Sequence, residues 1–254
     1  MQKEFEKLYI YGKHALSEAL LNYPRAVKKV FFSPRIHDLE LRNLVRKAGA
    51  TLQELKEREA EKMVGYEAAH QGIVAIVDSA GLMIDFDDFF RELKTTPETM
   101  LVLLDELTDP HNVGAIIRSA AAFGASGILM PYHNQAPITG AVVKASAGMA
   151  FRVPLVSIGN VNYTIGKLKN EGFRTYGLIM EGSRAVTEEK FEEPTLFIVG
   201  NEGKGIREKT LDLCDVKLRI PMNPRCESLN VSVSAAVVLF EWSKHHGAAL
   251  RKNK

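Results

Sequence analysis

The sequence predicts an α/β protein in two parts: a small N-terminal α/β domain and a larger C-terminal domain built on a parallel sheet with helices on both faces. Three observations lead there. At 254 residues the chain exceeds the usual size of one domain. Its C-terminal part carries near-continuous Val, Ile and Leu runs separated by helix-period segments, the pattern of strands buried on both faces. Residues 12 to 77 instead alternate shorter helix-like and strand-like stretches, which is the signature of a compact separate unit.

Taken in order, the N-terminal unit reads GKHALSEALL (helix), VKKVFFS (strand), DLELRNLVRKAG (helix), ATLQEL (strand), EREAEKMVG (helix) and GIVAIV (strand). From Ser79 to Thr99 the pattern loosens into polar and acidic residues broken by Pro97, with one possible short helix, DFDDFFREL. The expected division is therefore 1–78 for the small domain, 79–99 for a linker and 100–254 for the large domain. The large domain reads as strands MLVLLDEL, GILMP, VPLVS, FRTYGLIM, TLFIVG and VKLRIP. Between them stand helices NVGAIIRSAAAFG, ITGAVVKASAG, NYTIGKLKNEG and IREKTLDLC, and a long VSVSAAVVLFEWSKHH helix follows the last strand. Ligands of such sheets collect beyond the C-terminal ends of the strands, so the residues just after each strand carry most of the functional information.

Composition excludes several classes. The chain is 46% hydrophobic and 25% charged, an ordinary globular balance. No apolar run approaches the roughly 20 residues that span a bilayer, and the opening MQKEFEKLYIYG is mixed in charge, so no membrane association and a cytoplasmic location are expected. Cys214 and Cys226 form no CxxC or Cys/His pattern, so neither a disulfide framework nor a metal is expected. A formal charge of +2 does not by itself indicate a nucleic-acid partner. Its distribution says more. No acidic residue lies between Asp109 and Glu171, whereas Arg118, Lys144, Arg152, Lys167 and Lys169 do, so either a locally positive surface or a few solvated cations results.

Three post-strand segments carry candidate chemistry: DPHNVGAIIRSAAAFG, GNEGKGI and IPMNPRCESLNVSVSAA. In the first, Asn112 sits where a helix begins and Arg118 follows six residues later in a run of small and apolar residues. That arginine either pairs with a carboxylate or turns its guanidinium to a phosphate or reacting group. The second lacks the GxxxxGK[ST] spacing and is no GxGxxG, so neither nucleoside triphosphate binding nor a dinucleotide oxidoreductase fits. Its glycines around Glu202 let backbone approach a flat polar ligand, or else form a tight turn with a solvated glutamate. In the third, Pro221 and Pro224 end the strand, and Ser228 and Asn230 are either helix caps or ligand contacts.

Together, in this order, these segments resemble the three signature motifs of the SpoU branch of the SPOUT methyltransferases, over residues 100 to 245. The stretch beginning YGKHALSEAL resembles the substrate-binding domain of that family's ribosomal RNA ribose methyltransferases. The resemblance implies a deep trefoil knot in the C-terminal domain and a small N-terminal domain like ribosomal protein L30e. It implies a homodimer with the site near the subunit interface, and S-adenosylmethionine as methyl donor with no metal. The donor would be held by Gly200, Ile220 and Leu229, with Leu178, Met180, Gly182, Asn201 and Met222 beside them. Arg118, Asn112, Glu202, Ser228 and Asn230 match the family's catalytic positions, with Glu202 expected to orient Arg118 and Asn230 to hold the nucleotide.

A ribose 2′-hydroxyl is a poor nucleophile, so transfer needs in-line placement and a route for its proton. The resemblance further implies, as substrate, a guanosine in 23S ribosomal RNA near the peptidyl-transferase region, free or in an assembling particle. Transfer RNA is the first alternative and a non-catalytic RNA-binding or assembly factor the second. Lys13, Arg25, Lys28, Lys29 and Arg35 are candidates for phosphate contact.

Overall fold

The structure is a computed structural model that describes residues 5–251. The chain divides into two compact units, residues 1–83 with 137–152, and residues 84–136 with 153–254.

The first unit contains β1 (Lys7–Tyr11), α1 (Lys13–Asn22), β2 (Val27–Phe32), α2 (Leu39–Lys47), β3 (Thr51–Glu54), α3 (Glu57–Val64) and β4 (Ile73–Asp78). Its sheet runs β1-β4-β2-β3. Strand β4 is antiparallel to both β1 and β2, while β3 is parallel to β2. Leu16, Ala19, Val30, Val45, Ala60, Val74 and Ala75 fill the core, the inward set of amphipathic helices against a half-covered sheet. Asp38 caps α2 by accepting the Leu41 N–H at 2.9 Å.

The second unit begins with β5 (Met83–Asp85) and α4 (Phe86–Glu92), followed by β6 (Met100–Asp105), α5 (Pro110–Ala122) and β7 (Gly127–Pro131). Helix α6 (Gly140–Ala145) belongs to the first unit. Then come β8 (Leu155–Ile158), α7 (Val161–Asn170), β9 (Arg174–Leu178), β10 (Arg184–Ala185), β11 (Thr195–Gly200), α8 (Glu208–Leu211), β12 (Val216–Arg219) and α9 (Val231–His245). The sheet order is β10-β12-β9-β11-β6-β7-β8-β5, and every pairing from β10 to β8 is parallel. Each residue of β6, β7 and β11 is buried, as the unbroken apolar runs predict for central strands covered on both faces. Trp242 anchors α9: it is fully buried, stacks on His246 at 4.1 Å, and donates from Nε1 to Thr195 Oγ1 at 3.2 Å.

Two features differ from the expected division. The stretch 79–99, read as a linker, supplies β5 at the sheet edge and α4, whose Phe86 and Phe89 join the core beside Leu101, Leu129 and Val156. Its acidic surface residues hid an apolar face only one turn long. Residues 137–152, read as part of the large domain, pack with the first unit, where Arg152 pairs with Glu18 and Lys144 donates to Gln71 at 3.0 Å.

The cation-rich stretch is also less positive than its sequence suggests. Arg152, Lys167 and Lys169 have carboxylate partners in Glu18, Asp87 and Asp215, residues far away in sequence. In the first unit Lys13 pairs with Asp38 at 2.7 Å, whereas Lys28 donates to the Arg25 carbonyl. Among the described residues no helix is long and apolar enough to cross a membrane, and no group of three His, Cys, Asp or Glu is placed to hold a metal ion.

Both cysteines are free thiols, and burial separates them. Desolvation pushes the Cys214 thiol up to about 12, while Cys226 is exposed. At pH 8 iodoacetamide should therefore alkylate Cys226 and leave Cys214 unmodified until urea unfolds the chain, as read by peptide mass spectrometry. Rapid native labelling of Cys214 would contradict the burial.

Candidate active site

All three post-strand segments reach the C-terminal edge of the second unit's sheet. Chain order reverses there: β6, β7 and β8 are laid down to one side, whereas β9 lies on the other with β11 inserted between β6 and β9. Such a switch point leaves a crevice beyond the strand ends.

On the β11 side, a cleft of about 350 Å³ is lined by Leu178 and Met180 after β9, by Gly200 to Gly205 after β11, by Ile220 and Met222 after β12, and by Ser228 and Leu229 before α9. Its floor is the turn after β11. Asn201 N donates to Gly205 O at 3.0 Å and Gly205 N returns the bond at 2.9 Å. Asn201 Oδ1 accepts from the Gly203 and Lys204 amides, and its Nδ2 donates to the Glu106 carbonyl at 2.8 Å. This turn folds so tightly onto Gly200 that a Cβ there would stand 2.2 Å from Ile206 N. The cleft thus combines apolar walls with a close-packed main-chain floor, the features that suit a flat heterocycle with a polar edge.

Seven of the eight expected donor-binding residues line this cleft: Gly200, Ile220, Leu229, Leu178, Met180, Asn201 and Met222. Gly182 does not. A Cβ at Gly182 would meet the Leu218 carbonyl carbon at 2.5 Å, so its glycine serves the close passage of the chain along β12.

The expected catalytic side chains fall into two groups. Asn112, on α5, is buried and joins Glu202 and Asn230 in one hydrogen-bonded line: Asn112 Nδ2 donates to Glu202 Oε1 at 3.1 Å, and Asn230 Nδ2 donates to Asn112 Oδ1 at 3.0 Å. Asn230 also caps α9, its Oδ1 accepting from the Ser232 amide at 2.9 Å and the Ser232 hydroxyl at 2.6 Å. Capping and site placement are therefore one role. Ser228 caps nothing. It is exposed at the cleft wall, where its carbonyl accepts from the Cys226 thiol at 3.4 Å.

Arg118 stands apart. It is exposed, lines no part of the cleft, and has no carboxylate partner among the described residues. The expected pairing with Glu202 is not made, because Glu202 bonds Asn112 instead. Six residues along a helix turn the side chain by about 120° away from the starting face, so Asn112 and Arg118 cannot address the same partner directly.

Three residues were missed from sequence. Asp105, ending β6, is fully buried and receives the Arg207 amide at 3.0 Å and Arg207 Nε at 2.9 Å, while Arg207 Nη1 lies 3.2 Å from Glu106 Oε1. Hydrogen bonding to Asp105 raises the Arg207 pKa above its already high value. The signal was present: a carboxylate closing an otherwise apolar strand needs a partner. Arg207→Ala would strand that carboxylate. Because the guanidinium is 44% solvent-exposed, we expect a loss of stability of about 2–3 kcal/mol, below the full range for a broken buried pair, read from urea unfolding. An unchanged midpoint would contradict it.

Comparison with known proteins identifies the family. Residues 99–240 match the model of the SpoU rRNA Methylase family, and residues 9–82 match that of the RNA 2′-O ribose methyltransferase substrate-binding domain. The 23S rRNA (guanosine-2′-O-)-methyltransferase RlmB of Pseudomonas syringae pv. tomato is 35% identical over 244 residues, covering 94% of this chain and 96% of the relative. The SpoU methyltransferase AviRb of Streptomyces viridochromogenes, solved with AdoMet, shares the fold at a TM-score of 0.79 and 24% identity, covering 95% of this chain and 91% of its own. A TrmH/SpoU tRNA modifying enzyme of A. aeolicus overlays less, at a TM-score of 0.53 and 24% identity, over 61% of this chain and 78% of that one. With a family model spanning the whole strand-and-cleft region and a relative alike from end to end, the chain belongs to the SpoU rRNA methylase family.

Proposed function

We infer that this protein transfers the methyl group of S-adenosylmethionine to the ribose 2′-hydroxyl of a guanosine in 23S ribosomal RNA. The observation that carries the reading is the meeting of three distant segments at one strand edge. The Gly200–Gly205 turn and the 220–229 loop build a cleft, and the Asn230–Asn112–Glu202 line ties the first segment to it.

The cleft fits the donor. At Gly200 its floor admits no side chain, and Leu178, Met180, Ile220 and Leu229 supply apolar walls. The bound donor supplies a methyl group already activated by a sulfonium charge, so positioning is the protein's main task. Arg118, free of any carboxylate, is the residue suited to hold a phosphate and polarise the 2′-hydroxyl. Its planar guanidinium, a fork of N–H donors with no acceptor, acts more readily as a hydrogen-bond donor than as a base. Glu202 fixes the Asn112 amide, and Asn230 and Ser228 form the polar rim toward the nucleotide.

Several finer readings accompany this one. The insertion of β11 between β6 and β9, with β12 beyond, supports a C-terminal segment threaded as a trefoil knot. The small four-stranded sheet with its helices supports an L30e-like RNA-binding role for the first unit. Val233, Val237 and Phe240 form an exposed apolar stripe along α9, which supports a homodimer that brings Arg118 of one protomer toward a shared site. Ribosomal RNA rather than transfer RNA is favoured because the RlmB relative aligns with 94% of this chain, against 61% for the tRNA modifying enzyme. The working place would be the cytoplasm, on free RNA or an assembling particle.

The test is mass mapping of ribose methylation on large-subunit RNA from cells lacking the protein, then complemented with wild type. Loss of one 2′-O-methylguanosine, restored by the wild-type gene, is the expected result. An unchanged ribosomal pattern with a lost transfer RNA methyl would overturn the ribosomal assignment.

A further inference from the structure

A second cleft opens beyond the same sheet edge, on the other side of the switch point. It encloses about 300 Å³ and is lined by Glu106 after β6, His133 and Asn134 after β7, Asn160 and Asn162 at the start of α7, and Arg207 after β11. Nothing in the donor cleft explains it.

Its chemistry is polar but not cationic. Arg207 is neutralised by Asp105 and Glu106, so the cleft offers no surplus positive charge for a phosphate. It offers instead a carboxylate beside amide groups. Glu106 Oε1 takes Asn134 Nδ2 at 3.2 Å and Arg207 Nη1 at 3.2 Å, while Oε2 has no protein partner among the described residues. The side-chain amide nitrogens of Asn160 and Asn162 likewise make no hydrogen bond there, since only their oxygens are engaged. Glu106 and Asn134, which bond one another, both hold left-handed backbone, at φ 63° and 56°, an unfavourable conformation for residues with side chains.

Two exposed tyrosines adjoin lining residues in the chain. Tyr132, between lining residues Pro131 and His133, is 61% exposed, and Tyr163, directly after Asn162, is 67% exposed. Exposed tyrosines beside a polar cleft are the arrangement by which proteins stack an unpaired base and read its edge.

We propose that this cleft recognises an unstacked guanine of the substrate RNA, with Glu106 reading its Watson–Crick edge and Tyr132 and Tyr163 providing stacking surfaces. Guanine alone among the four bases presents two adjacent donors there, N1–H and the N2 amine, for a carboxylate to accept, and its neighbouring O6 accepts from an amide. Adenine places an acceptor opposite the carboxylate and is repelled. The proposal rests on the RNA methyltransferase reading and adds to it a specificity-determining residue outside the donor cleft.

The test uses the full chain with S-adenosylmethionine, the single-stranded probes UUGUU and UUAUU, and Glu106→Gln, Tyr132→Ala and Tyr163→Ala variants. Wild type should bind UUGUU about tenfold more tightly than UUAUU, the low end of the discrimination that hydrogen bonds to a base edge supply. Glu106→Gln should bring that ratio close to one without changing donor affinity. Each tyrosine variant should weaken both probes alike, by about fivefold or more. Equal binding of the two probes by wild type, or a preference that survives in Glu106→Gln, overturns the proposal. Methylation of 23S RNA by wild type in parallel separates the two failures: turnover without guanine preference sinks the cleft assignment alone, and guanine preference without donor binding or turnover sinks the enzyme reading alone.

Discussion

Arg118→Ala should lower methyl transfer to ribosomal RNA by about a hundred- to ten-thousandfold, the range expected when a positioned group that assists proton loss is removed. Donor binding should be unchanged. Arg118 is exposed, does not line the cleft, and its side chain bonds to none of the described residues, so its removal leaves no buried charge unpaired and no cavity. The loss would thus belong to transfer and RNA contact, not to folding. Arg118→Lys separates the two roles. It retains the charge, and so part of the phosphate attraction, but loses the planar fork, so its rate should fall between wild type and alanine. Single-turnover transfer from labelled donor, with donor affinity measured on the same preparations, reads both quantities. A rate within about twofold of wild type for the alanine variant would be too small for a group assisting proton transfer, and would remove Arg118 from the mechanism.

The second large effect is expected at Gly200. An added methyl would lie 2.2 Å from Ile206 N and 2.3 Å from the Gly205 carbonyl carbon, both backbone atoms that cannot rotate away. The turn must then lift off β11, at a cost of about 1–3 kcal/mol for overpacking, and its displacement deforms the floor of the donor cleft. Gly200→Ala should therefore lower the urea midpoint and weaken donor binding by about tenfold or more, equivalent to about 1.4 kcal/mol. Gly203, in the same turn, is the control. A Cβ there would meet only Asn201 Oδ1, at 3.8 Å, so Gly203→Ala should leave folding stability nearly unaltered. Should both variants bind donor like wild type, the cleft floored by this turn is not the donor site.

Much of the fold was legible in the sequence because burial on two faces leaves a mark along a single strand. The apolar runs at 100–105, 127–131 and 195–200 have every residue buried, as continuous hydrophobicity predicts for the middle of a covered sheet. Helix α9 shows the limit of that reasoning: its period identified a helix, but only packing shows that Val238, Leu239 and Trp242 face inward while Val233, Val237 and Phe240 do not. The resemblance of three short motifs singled out eight residues from distant segments, and seven of them line one cleft. Gly182 lies outside the cleft, and a glycine at a close backbone passage looks, in sequence, like one beside a ligand.

By itself, then, the sequence determined the class of fold and most of the strands, and marked three loops as candidates for the chemistry, since these follow from local periodicity, turn residues and motif spacing. Tertiary structure alone decided which distant groups meet. It joined Asn112 to Glu202 across 90 positions and Asp105 to Arg207 across 102, placed β5 in the large sheet and α4 against its core, and sent 137–152 to the first unit. The physical reason is that strand order sets these pairings. A buried carboxylate or amide demands a partner, but the demand has no sequence distance attached, and only the closing of the sheet chooses which side chain answers it.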